Sequence, residues 1–107
     1  MRILSQFSEQ SVEAHGSSGY TMRGVIRSEQ AHVAVAILAP GGTIGRHAAA
    51  VPQLFVVVEG SGWVAGDNAE QVEVAAGDAV LWDADEEHEA GTDEGMVSLV
   101  VESNALA

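Results

Sequence analysis

The sequence contains no cysteine and no lysine. The first absence removes disulfide staples, zinc–thiolate sites and cysteine nucleophiles. It agrees with a reducing compartment. The second removes Schiff-base chemistry and a phosphate-binding loop of the Walker type. Basic residues are scarce altogether: Arg2, Arg23, Arg27 and Arg46 stand scattered against 16 acidic residues, for a net charge of -12. Nucleic acid needs clustered cations to displace its counterions, so no nucleic-acid partner is expected. An anionic membrane surface is disfavoured on the same ground. The acidic excess reads as a solubility device. Long hydrophobic runs are missing too. The longest, Val33 to Pro40, is far too short to span a bilayer. The start, Met1 to Gln6, turns polar before an apolar region develops. The expectation is a cytoplasmic protein with no membrane partner.

What is present reads as strand and turn. The 107 residues suit one domain, and a chain of this size can bury a core without covalent staples. Residues 1–19 are polar and rich in Ser and Gly, and are read as an N-terminal arm with at most one strand. A single barrel domain is expected over residues 20–104. In residues 20–27, Tyr20, Met22 and Ile26 share a side with Gly24, while Thr21 and Arg23 face the other way. Residues 31–39 are apolar on both faces, as in a central strand or a subunit contact. Pro40-Gly41-Gly42 is expected to end that strand, with a short strand following to Ala49. Val51-Pro52 makes the next break, and Leu54 to Val58 is expected to close at Glu59-Gly60-Ser61-Gly62. Gly66-Asp67-Asn68 looks like a hairpin turn. No stretch shows a capped helical stripe. Eight or nine short strands predict an all-β sandwich or barrel.

Two segments carry a family pattern. The first is Gly41-x5-His47-x-Ala49-x3-Gln53-x6-Gly60, and the second is Gly77-x5-Asp83-x-Asp85-x2-His88-x3-Thr92. At these spacings the chain resembles the paired motifs of the cupin superfamily. The family has a second histidine where this chain has Ala49, and a glutamate at Gln53. It has proline, glycine and asparagine at Asp83, Asp85 and Thr92. The resemblance spans about residues 31–102. It implies a double-stranded β-helix, or jelly-roll barrel, whose motif residues converge on one divalent metal. Carried over residue by residue, the metal positions are His47, Gln53 and His88.

The residues themselves leave the function open. Two imidazoles and a neutral amide lack the carboxylate that offsets a 2+ charge in a two-His, one-carboxylate triad. Glu89 adjoins His88 and should face away; so should Arg46, beside His47. Ala49, Phe55, Trp63 and Trp82 are expected to line the pocket with these residues, and Tyr20 is either pocket or core. Asp85 is read as a turn residue, because aspartate tolerates left-handed backbone angles. One reading is a small-molecule enzyme using iron, manganese, nickel or zinc. A second is a non-catalytic ligand-binding or sensor module with a degenerate metal site. A third is a metal-free acid–base enzyme. A homodimer is expected, because the two-faced strand at 31–39 and the sheet edges need covering.

Overall fold

The computed structural model describes residues 1–3 and 9–106. Eight strands account for most of them: β1 (Glu9–Val12), β2 (Ser18–Arg27), β3 (His32–Ala48), β4 (Gln53–Ala65), β5 (Val72–Ala75), β6 (Ala79–Trp82), β7 (Glu87–Gly91) and β8 (Met96–Glu102). A single 3₁₀ turn, Ala14–Gly16, sits between β1 and β2. All pairings are antiparallel. β1 pairs with β2, so the described part of the N-terminal arm extends the sheet.

The long strands depart from the expected breaks. β3 runs unbroken through Pro40-Gly41-Gly42, and β4 runs unbroken through Gly60. Each serves two sheets. The first half of β3 pairs with β2 and β8, and its second half with β7. The first half of β4 pairs with β6 and β8, and its second half with β5 and β7. A strand that switches sheets must bend, and glycine with positive φ makes the corner. Gly41 has φ +78° and Gly60 φ +80°. At Gly60 a Cβ would also overlap the Gly95 carbonyl. The glycines predicted to end strands therefore turn barrel corners.

Three irregularities reset which residues face inward. A bulge shifts every later side chain to the other face. In β2 a register shift between Gly24 and Ile26 leaves Ile26 55% exposed, rather than beside Tyr20 and Met22. In β4 a shift between Val57 and Glu59 turns Trp63 outward and Val64 inward. In β3 a shift between Ile44 and His47 does the same at the functional end. The core holds Tyr20, Ala36, Leu38, Phe55, Val57 and Trp82 among others. Across the outer face, Val33, Val35 and Ile37 of β3 lie opposite Val101, Leu99 and Val97 of β8 and stay half-buried. The strand at 31–39 is thus apolar on both faces, as expected.

Candidate functional site

The bulge in β3 decides what the cavity contains. Ala34, Ala36, Leu38, Gly42 and Ile44 follow the inward parity of even positions. Continued without interruption, that alternation would aim Arg46 into the barrel. The extra residue aims His47 inward instead and Arg46 outward. There Arg46 donates to Glu87 Oε2 at 2.8 Å, to the Gly66 carbonyl at 3.0 Å and to the Asp67 carbonyl at 2.9 Å. Its Nη1 also lies 3.4 Å from Glu89 Oε1. The guanidinium thus locks β3, β7 and the 66–67 hairpin together. Its pKa is raised first by the hydrogen bond it donates to Glu87.

His47 and His88 are direct cross-strand partners. His88 comes from β7, just after the acidic turn, in which Asp85 adopts φ +64°. That is the left-handed geometry expected of it. His47 Nδ1 lies 2.7 Å from the Gly45 carbonyl, and His88 Nδ1 lies 3.2 Å from the Glu86 carbonyl. A carbonyl only accepts, so each Nδ1 carries the proton and each Nε2 is left as an acceptor. His88 is 2% exposed, and its Nε2 has no partner. Burial lowers its pKa below the usual histidine range, outweighing the hydrogen bond to the Glu86 carbonyl, which raises it.

The rings form a continuous wall. His15 stacks on His47 at 4.5 Å and 8° between planes. His47 meets His88 at 4.4 Å, tilted by 59°. His88 stacks on Trp82 at 4.4 Å, and Trp82 meets Phe55 at 5.5 Å. The wall borders a cavity of about 200 Å³.

Of the residues expected here, His47, Gln53, His88, Phe55 and Trp82 border this cavity. Ala49 and Trp63 do not. β3 ends at Ala48, so strand alternation no longer governs Ala49; its carbonyl instead accepts the Asp85 N–H at 2.8 Å. Trp63, turned outward by the β4 bulge, covers Gly91 and borders an open groove with Glu73, Asp78 and Asp93.

Three further residues complete the cavity. Glu102, at the end of β8, accepts a hydrogen bond from Gln53 Nε2 at 2.9 Å, which leaves the Gln53 carbonyl oxygen free to face a ligand. Tyr20 is buried, and its hydroxyl is pushed up to about 12, first by burial and then by the charge of Glu102. His15 belongs to the 3₁₀ turn, at φ 59°. Ser17 Oγ accepts the Gly45 N–H at 2.9 Å and seats this turn on β3. Inward parity with Ser98 and Val100 could have found Glu102. No period could have found His15, which lies in an irregular turn.

The family's metal is tested by this donor set. Nδ1 protons anchored on backbone carbonyls are what ligating histidines need. The carboxylate is engaged by Gln53, however, and among the described residues no group of three or more His, Asp and Glu side chains is arranged to hold a metal ion. The described residues thus supply no third His, Asp or Glu ligand beside the two imidazoles, only the neutral amide of Gln53.

Comparisons with known proteins agree with this architecture. The cupin domain family matches residues 34–102. The polyketide cyclase RemF from Streptomyces resistomycificus superposes with a TM-score of 0.85 at 21% identity, covering 97% of this chain and 80% of that one. KdgF from Halomonas sp. gives 0.78 at 20% identity, over 91% of this chain and 87% of that one. A predicted oxalate decarboxylase from Thermotoga maritima gives 0.79 at 23% identity, over 91% and 90%. At such identities the likeness shows the fold alone. No curated protein sequence matches significantly. With the family pattern across most of its length and the jelly-roll barrel around the His47–His88 pair, the chain belongs to the cupin family.

Proposed function

We propose that the cavity is a small-molecule site in which His88 acts as a neutral hydrogen-bond acceptor, with His47 beside it. The observation that carries this reading is the buried His88 Nε2, without a partner, on a side chain that lines an apolar cavity. A buried acceptor left unpaired costs about 1–3 kcal/mol, and a ligand donor would recover it. His88, lowered by burial, is unprotonated near neutral pH, so it can also take a proton from a bound molecule. This supports acid–base chemistry or simple binding without a resident metal. The same two Nε2 atoms favour a second reading, a divalent ion held by His47, His88 and the Gln53 carbonyl oxygen. Thermal melts with a fragment set, run with and without EDTA, separate the two. Stabilisation that EDTA leaves unchanged and His88→Ala removes supports the first. Near-stoichiometric iron, manganese, nickel or zinc, lost in both His47→Ala and His88→Ala, supports the second and sinks the first.

We also infer that two copies pair across the outer sheet face. The β3 and β8 side chains there continue into Leu54 and Val56 of β4, and none of these packs against the core. With β2 flanking β3 and β6 flanking β4, three rows across five strands cover on the order of 500 Å² per copy. Two such faces reach about 1,000 Å², the lower bound of a specific interface. The β3 and β8 residues at the centre of this face carry no carboxylate, which suits pairing of a chain of net charge -12. Sedimentation velocity at micromolar concentration should give a dimer, and Leu99→Glu a folded monomer. A monomeric parent would refute the pairing.

A further inference from the structure

The cavity has hydrogen-bonding groups of both kinds and no permanent cation among its lining residues. None of the four arginines borders it. Arg46 is swung out by the β3 bulge and engaged by Glu87. Arg23 is engaged by Glu9. Two carboxylates border the space, Glu102 and Glu89, and that of Glu89 is turned to Arg46. An anionic ligand would therefore enter a low-dielectric space beside a carboxylate, with no fixed positive charge to offset its lost hydration.

The acceptors outnumber the donors. His47 Nε2, His88 Nε2, the Gln53 carbonyl oxygen and Glu102 all accept. Tyr20 stays protonated through the ordinary pH range and is the donor. Size and shape narrow the occupant further. An apolar cavity of about 150 Å³ takes up benzene, and this one is about 200 Å³. Its wall is a run of stacked rings, which favours a flat partner.

We infer that the ligand is a neutral single-ring compound bearing a hydrogen-bond donor, such as a phenol or an N–H heterocycle, and not a carboxylic acid. The inference rests on the cavity being a ligand site and adds the chemical class.

Three probes of nearly equal size separate the terms: phenol, anisole and benzoate. Each is titrated against the full chain by thermal shift, with and without EDTA, in the parent and in His88→Phe. Phenol should stabilise the parent. Anisole, which keeps the ring and lacks the donor, should bind about tenfold more weakly, because His88 Nε2 then stays unpaired. Benzoate should bind at least about a hundredfold more weakly than phenol. In His88→Phe the preference for phenol over anisole should vanish while a ring is still taken up. Benzoate matching phenol would overturn the inference, as would benzoate binding that EDTA abolishes, since a metal would then supply the missing cation. Anisole matching phenol would overturn the donor requirement and leave the cavity reading intact. No shift from any probe would overturn the cavity reading itself, and the inference with it.

Discussion

Replacing Phe55 by alanine tests whether the cavity wall is packed as described. Phe55 is 2% exposed, lies in the core and meets Trp82 at 5.5 Å. Deleting a buried phenylalanine side chain costs about 3–5 kcal/mol, from lost transfer energy and the void left behind. Here the void opens into the existing 200 Å³ cavity. Relaxation should be slight, because Val57, Trp82 and Val100 are fixed by their strands. The loss should fall in the upper part of that range, with about 0.5–1.5 kcal/mol of it from the ring–ring contact. For a chain this long each kcal/mol shifts the melting temperature by about 4–8 °C, so a drop of roughly 15–40 °C is expected. Urea denaturation should show a lower midpoint at unchanged slope. Benzene should then stabilise Phe55→Ala more than the parent, by about 2.7 kcal/mol at a hundred times its dissociation constant. A loss below about 1 kcal/mol, or no response to benzene, would refute the packed wall.

Three other outcomes follow from the geometry. His88 is held below its ordinary value near 6.5 by burial, so stability is full above about pH 6.5 and falls as the unfolded chain binds this proton first. The loss, about 1.4 kcal/mol per unit of lowering, ends once folded His88 also protonates; urea melts from pH 5 to 8 in EDTA should show it, and parallel curves for parent and His88→Phe would contradict it. Gly45→Ala places a methyl group on the His15 carbonyl, so the 3₁₀ turn should lift from β3 at about 1–3 kcal/mol, with faster amide exchange at residues 14–17. Asp85→Gly should be neutral or stabilising by up to about 1 kcal/mol in thermal melts, because φ +64° suits glycine, whereas Asp85→Val should cost more than about 1 kcal/mol; a large loss in the glycine variant would assign the carboxylate another role.

The fold was legible where local chemistry and global architecture agree. Alternation in β2 and the apolar run of β3 needed no partner strand to be recognised, and the two motif segments located the barrel. The errors have one source. Gly41 and Gly60 read as terminators because a glycine's tolerance of positive φ serves a turn and a strand corner equally well. Only the pairing of β3 with β2 and β8 on one side and β7 on the other distinguishes them. Trp63, expected at the pocket as a large aromatic, lies outside because a bulge that no single residue announces shifts the parity of β4.

The site shows the same limit more sharply. His47 and Arg46 are adjacent, and which of them enters the cavity depends on one extra residue in β3 against β7. An arginine in that position would make an anion site; the histidine makes a neutral one. The sequence motif names the histidine without revealing the bulge that aims it. Glu102 was within reach of parity, since Ser98 and Val100 precede it on the same face of β8. Its inclusion changes the chemistry. With Glu102 held by Gln53, the family's glutamate position is filled by an amide that orients a carboxylate from another strand. The negative charge has moved from the metal position to the cavity wall. That displacement, together with an outward Arg46, is why the family resemblance carries the barrel faithfully and the metal site only in part.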